Sequence, residues 1–218
     1  KTSGLFLSKQ ILEHAKSYEQ VTIKEEKVEE IKNAKNIFEL KTNKTSYKAK
    51  AILFATGTKW RKLEVKGGKD FENKGISYCA LCDAPLYKNK TIAIVGGNDT
   101  AASYALILAE YASKVYVVYR GEGIRAEPVN LNMINKNKKI EILNKTNVVE
   151  VKGKTFVESI VLDKLHKGSR DLKVDGVFVA IGHIFLSELA KKLGVRTNDK
   201  GEIIIDHKTS ETNIPGIF

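Results

Sequence analysis

The segment "TIAIVGGNDTAASYALILAEYAS", residues 91–113, constrains the fold of this 218-residue chain more than any other. Four apolar residues run without a polar break into a glycine pair, and an alanine-rich stretch follows at helical spacing. An unbroken apolar run of that length reads as a strand buried on both faces, as in a parallel sheet covered by other elements. The pattern predicts a strand at 91–95, a turn at 96–98 and a helix over 99–113. Ala101, Ala105, Ala109 and Ala112 then form a face small enough to pack closely on a sheet.

The same grammar continues downstream. "KVYVVY" and "KIEIL" read as further strands with the helical "EPVNLNMINKN" between them, which makes a βαβαβ unit. Three more β-segments are expected at 146–151, 156–164 and 173–181, then a short helix in "LSELAKKLGV" and a strand in "GEIIIDHKT". Before residue 91 the texture differs. A helix is expected over 4–17. The β-rich segments "QVTIKEEKVEEIK", "NIFELKT" and "SYKAKAILFAT" follow as a meander ending in a buried strand, with turns at Ala34-Lys35-Asn36 and Asn43-Lys44-Thr45. The glycine- and charge-rich "GTKWRKLEVKGGKDFENKG" reads as a connection and a domain boundary.

Composition removes some classes of function. A net charge of +11 raises nucleic acid as a partner, yet the lysines are dispersed, the densest run is "KNKK" at 136–139, and no basic stripe alternates with aromatics. No stretch approaches the roughly 18 apolar residues of a membrane helix, and "KTSGLFLSKQ" lacks the form of a signal peptide. The expectation is a cytoplasmic protein that binds neither nucleic acid nor membrane. The single methionine is Met133, the first residue is Lys1 and the last stretch is the apolar "TNIPGIF", so a piece of a larger protein is expected.

Three motifs carry chemistry. In a dinucleotide turn one glycine makes the bend, a second lets the backbone approach pyrophosphate, and a small residue lets the helix pack on the sheet. Gly96 and Ala101 fill the first and third places, with Gly97, Asn98, Asp99 and Thr100 between them. Asn98 stands where the second glycine belongs, and its side chain is expected to intrude on the phosphate. A purely structural glycine turn is the competing reading. At the end of the next strand, where an NAD site places a carboxylate and an NADP site an arginine, stand Arg120 and Arg125, two of only five arginines. The alternative is a surface pair with Glu122 and Glu127.

The third motif is Cys79-Ala80-Leu81-Cys82-Asp83. A closed zinc site needs two further ligands, and the chain has no other cysteine and only the scattered His14, His166, His183 and His207. Redox chemistry is therefore favoured over metal, with Asp83 as a carboxyl group able to shuttle a proton.

Taken with "ILFATG", "YRGEGIRAE" and "DGVFVAIGH", the stretch "SYCALCDAPLYKNKTIAIVGGNDTA" resembles the low-molecular-weight thioredoxin reductases, and the resemblance runs from Gly4 to Phe218. It implies an FAD-dependent flavoprotein in which NADPH or NADH reduces FAD, FAD reduces Cys79–Cys82, and the dithiol reduces a thioredoxin-like protein. By position, Cys82 faces the flavin, Cys79 exchanges with the partner and Asp83 is the acid. Ala55, Thr56 and Gly57 match the flavin-side turn, and Ile181 and Gly182 join the cofactor-binding residues. The implied fold is α/β. A Rossmann-like NAD(P)H domain over 62–183, a parallel sheet plus β-meander, is inserted in a partial FAD-type domain made of 1–61 and 184–218. Family members are homodimers that rotate one domain against the other during turnover.

Departures from the family are also legible. Its amino-terminal Gly-x-Gly-x-x-Gly unit and its later Gly-Asp motif have no counterpart in these 218 residues, so the chain alone is expected not to retain FAD and to be inactive. The family's paired arginines become Arg120-Gly121, and the usual proline after Gly182 is missing. NADPH, NADH and another donor stay open. Two other readings remain, a flavin-dependent dithiol oxidase or reductase with a non-NADPH donor, and a non-catalytic nucleotide-binding module in which the disulfide is passive.

Overall fold

The computed structural model describes residues 4–34 and 37–218. The chain forms two compact units, one from the stretch up to Gly57 together with Phe185–Phe218, the other from Thr58–Ile184.

In the first unit, helix α1 (Gly4–Lys16) precedes a three-stranded antiparallel meander of β1 (Val28–Ala34), β2 (Ile37–Thr42) and β3 (Ser46–Ala49). Two of the three residues of the predicted Ala34-Lys35-Asn36 turn, Lys35 and Asn36, lie outside the described residues, as do Lys1–Ser3 of the expected "KTSGLFLSKQ" start. Thr42 organises the second predicted turn. Its hydroxyl oxygen accepts the Thr45 and Lys44 amides at 2.9 and 3.1 Å and donates to Glu26 at 2.7 Å.

In the second unit, β4 (Thr58–Trp60) leads through turns to β5 (Ile76–Ser77), helix α2 (Ala80–Asp83) and a 3-10 turn at Ala84–Tyr87. Then come β6 (Thr91–Val95), α3 (Asp99–Tyr111), β7 (Lys114–Val118), α4 (Pro128–Lys136) and β8 (Ile140–Leu143). The meander β9 (Val148–Gly153), β10 (Val157–His166) and β11 (Ser169–Lys173) follows, and β12 (Gly176–Val179) and β13 (His183–Phe185) come last. The parallel sheet has the order β5-β12-β6-β7-β8.

The layering explains why β6 is apolar throughout. Ile92 and Ile94 pack against Ala101, Ala105, Leu108 and Ala112 of α3, while Ala93 faces Val151, Ile160 and Leu162 of the meander. A sheet sandwiched between a helix layer and a second sheet has no wet face, so side-chain alternation no longer shows as polarity. The alanines of α3 are almost wholly buried. Replacing one with a larger residue would overpack the helix–sheet contact at about 1–3 kcal/mol.

The chain runs from β6 outward to β7 and β8, then returns across the meander to place β12 on the other side of β6. That reversal opens a crevice beyond the carboxyl ends of β6 and β12, the position where parallel sheets hold their ligands.

Back in the first unit, α5 (Glu188–Lys192) buries Ala190 beside Ile31, Phe38, Ile52, Val195 and Ile217. One expected strand is cut short and another is not formed. Of 46–56 only β3 pairs as a strand; beyond it Ile52 makes a single parallel bridge to Ile217, and the Phe54 amide bonds the Phe218 carbonyl. "GEIIIDHKT" makes only the Thr197–Ile203 bridge, leaving Ile204 half exposed. An apolar run becomes a strand only where a neighbour continues a ladder with it, and here the pairing with residues 196–198 stops after a single bridge. Four strands were not anticipated, the short β4, β5 and β13 and the polar β11. β11 is polar and exposed, and β5 has only two residues.

The units divide at Gly57/Thr58 and Ile184/Phe185, against expected boundaries after 61 and 183. The difference falls on β4 and β13, which pair with each other.

Candidate functional site

At the carboxyl end of β6 the backbone of Gly96 takes φ +148°, and a Cβ there would lie 2.3 Å from the Ala180 carbonyl oxygen. Only glycine passes so close to the end of β12. Gly97 is restricted differently, since a Cβ on it would enter the Tyr119 ring at 2.2 Å. Asn98 is the N-cap of α3, its side-chain oxygen accepting the Ala101 amide at 3.0 Å. The expectation that this side chain blocks the phosphate position is corrected: it folds back to close the first helical turn, as asparagine does at N-caps. The amides of Asp99 and Thr100 remain at the open end of the helix, where no intrahelical acceptor exists.

Asp99 ties the turn to the next loop. Its carboxylate accepts the Glu127 amide at 3.0 Å and the Asn130 side-chain amide at 2.9 Å, and these donors hold it below the usual aspartate range. On the other side the Arg125 amide donates to the Gly97 carbonyl at 2.7 Å. Through these bonds the loop after β7 is fixed against the glycine turn.

A cavity of about 660 Å³ opens here within the Thr58–Ile184 unit. Gly96, Gly97 and Asn98 line it together with Arg120, Arg125 and Ile181. Arg61 and Lys62 add positive charge and Glu64 is the one acidic residue of the lining. The alternative partners proposed for the arginines are not used. Glu122 pairs with Lys145 at 2.7 Å, and among the described residues neither Arg120 nor Arg125 has a carboxylate partner. Two unpaired arginines in one cavity lining suit a phosphate, which a guanidinium can grip in bidentate fashion. Gly182 follows the lining with φ +94°.

The two cysteines form a disulfide just beyond the carboxyl end of β5, at the edge of the same parallel sheet. Cys79 caps α2, and its sulfur accepts the Cys82 amide at 3.2 Å. Asp83 is the last residue of α2. Its carboxylate oxygen Oδ2 accepts the Ser77 hydroxyl at 2.6 Å, and the same hydroxyl oxygen accepts the Cys79 amide at 3.2 Å. Cys82 is exposed and Cys79 partly covered, so a reductant in solution can reach the pair. The cysteines do not line the cavity, so the site residues named from sequence form separate groups within this unit.

Ala55, Thr56 and Gly57 belong to the other unit. The Thr56 hydroxyl donates to the Leu186 carbonyl at 2.7 Å, and Gly57 has φ +67° with no atom within 4 Å of where a Cβ would stand.

Sequence reasoning missed a polar and aromatic cluster around the residue before Cys79. The Tyr78 hydroxyl donates to Glu72 at 3.0 Å, its carbonyl accepts the Tyr104 hydroxyl at 2.8 Å, and Lys62 pairs with Glu72 while lying 4.3 Å from the Tyr78 ring. Burial, then the Glu72 hydrogen bond, raises the Tyr78 phenol to about 12. Trp60 stacks on Tyr78 and meets the His183 ring at 4.2 Å. Nothing in spacing or composition joins positions 60, 72, 78 and 183. Among the described residues no three His, Cys, Asp or Glu side chains are placed to hold a metal, and no helix is long and apolar enough to cross a membrane.

Comparison with known proteins agrees with this geometry. A thioredoxin reductase of Spironucleus barkhanus is 40% identical over 77% of this chain and 55% of its own. One from Bacillus subtilis is 34% identical over 99% of this chain and 68% of its own. Among solved structures, thioredoxin reductase from T. acidophilum superposes with a TM-score of 0.79 at 29% identity, covering all of this chain and 71% of that one. The chain spans 55% of the Spironucleus protein and 60% of a Listeria monocytogenes thioredoxin reductase. The family described as pyridine nucleotide-disulphide oxidoreductase matches residues 3–218. With its glycine turn, its paired arginines and its Cys79–Cys82 disulfide on one parallel sheet, the chain belongs to the pyridine nucleotide-disulphide oxidoreductase family.

Proposed function

We propose that the parent of this chain is a thioredoxin-disulfide reductase, in which two electrons from a reduced pyridine nucleotide reach the Cys79–Cys82 disulfide and pass on to a thioredoxin-like protein. The observation that carries the reading is the pairing of two features on one sheet: a basic cavity at the switch point beyond β6 and β12, and a disulfide at the β5 edge.

The residues fit the nucleotide. Gly96 lets the turn lie against β12, the α3 amides at its open end would hold the pyrophosphate, and Arg120 and Arg125 would offer unpaired charge to a ribose 2'-phosphate. Among the described residues Glu122, the first carboxylate after β7, is paired with Lys145. This favours NADPH over NADH. FAD supplies the two-electron relay between nicotinamide and disulfide when bound, and the open backbone at Gly57 beside Ala55 and Thr56 would lie along it. Cys82 would face the flavin and Cys79 the protein substrate. The overall balance is one hydride and one proton taken up, one S–S bond broken and two thiols formed. A homodimeric, cytoplasmic parent follows from the same reading.

The test is calorimetric titration of the chain with NADPH and with NADH. Tighter binding of NADPH supports the reading, and binding of neither overturns it. A reduction potential for Cys79–Cys82 near that of thioredoxin, roughly -270 mV, supports a working pair, and one below about -300 mV marks a structural disulfide.

A further inference from the structure

Ser77 is a buried polar side chain, 7% exposed, at the end of the edge strand β5, where its backbone is held in register with Phe178 of β12. Its hydroxyl makes two bonds with different parts of the disulfide loop. As donor it meets Asp83 Oδ2 at 2.6 Å, within the range of a charge-assisted O–H···O⁻ bond, and as acceptor it takes the Cys79 amide at 3.2 Å. Ser77 is the group through which the peptide bearing one sulfur and the carboxylate beside the other are referred to a fixed point in the sheet.

We propose that Ser77 is a positioning residue for thiol–disulfide exchange at Cys79–Cys82, holding the Asp83 carboxyl in place to hand a proton to the thiolate released when the S–S bond opens. The proposal rests on the reading of Asp83 as the acid. Exchange with a dithiol proceeds by attack of its thiolate on one sulfur while the other leaves as a thiolate. A second attack then closes the reductant into its own disulfide, so two electrons enter the chain and both cysteine sulfurs end protonated. A hydroxyl donor on the carboxylate sets where that proton sits. The Cys79 amide on the same oxygen keeps the loop from drifting away from the acid when the cross-link is lost.

The experiment uses the chain as it stands, reduced by dithiothreitol and quenched by alkylation so that mass reports the fraction reduced. No nucleotide or flavin is needed, so failure to bind NADPH would not affect the result. Ratios of variant to unaltered rates are taken between about pH 5 and pH 8.5, which cancels the titration of the reductant. Ser77→Ala is expected to slow exchange roughly tenfold, the effect of one lost charge-assisted bond, with the shape of the pH profile altered. Ser77→Thr is expected to recover most of the rate, and Ser77→Ala with Asp83→Asn to be no slower than Asp83→Asn alone. An unchanged Ser77→Ala profile, losses that add in the double variant, or no effect of Asp83→Asn would each overturn the proposal. If Ser77→Ala proves unstable, Asp83→Asn and Ser77→Thr still decide it. Equal slowing by Ser77→Ala at every pH, without a change of profile, would indicate structure alone and count against it.

Discussion

The Tyr119 ring occupies the space that a side chain on Gly121 would need: a Cβ built there would lie 2.6 Å from two of its ring carbons. The opposite edge of the ring lies as close to Gly97, so Tyr119 is fitted between two glycines at the mouth of the cavity. The family resemblance implies a second arginine at position 121, and the obvious repair is Gly121→Arg. The geometry predicts that this change alone fails. It should cost about 1–3 kcal/mol in urea unfolding of the chain and leave NADPH affinity unimproved. Combined with Tyr119→Ala, which vacates the space, the arginine should tighten NADPH binding.

Arg120 and Arg125 are expected to contribute unequally to NADPH and NADH. Alanine at either should weaken NADPH by about 1.5–3 kcal/mol and NADH far less, measured by calorimetry. The Arg125 amide bond to Gly97 survives the substitution, so the loop should keep its place. Equal losses for both nucleotides would assign the arginines to the pyrophosphate.

Asn98 is expected to act on stability before binding. Asn98→Ala removes the cap on Ala101 and should cost about 0.5–2 kcal/mol in denaturant unfolding, whereas Asn98→Gly should cost only a few tenths. Because the side chain already points to the helix, Asn98→Gly should change NADPH affinity little.

Tyr78 is expected to ionise near 12 instead of the ordinary 10, read as tyrosinate absorbance. The folded state holds this proton more tightly than the unfolded chain. The resulting stabilisation is complete below 10 and is lost as pH rises from about 10 to 12. Tyr78→Phe should remove that high-pH step from both absorbance and unfolding.

What the sequence made legible follows the length over which a pattern repeats. The apolar strand β6, the alanine face of α3 and the glycine turn all lie in one contiguous stretch, and their physics is local. The role of Asn98 was misjudged because a cap and an obstruction have the same letter, and only the direction of the side chain separates them. Ser77 and Tyr78 were silent because their partners, Asp83, Glu72 and Tyr104, are set by how β5 and α2 dock, which no periodicity encodes. The second half of the strand expected at 46–56 and the one expected in "GEIIIDHKT" misled for the opposite reason. Their composition is that of strands, but a ladder is a property of two segments.

The pairing of β4 with β13 has a consequence for the ancestry and handling of the chain. Thr58–Ile184 enters and leaves beside itself, its two ends separated by about one strand spacing, ~4.8 Å. To the host sequence a whole folded unit counts as a loop with touching ends, and lengthening such a loop costs entropy only as the logarithm of its length. Such a unit is expected to behave as a cassette, tolerating new termini better where its ends meet than within its sheet.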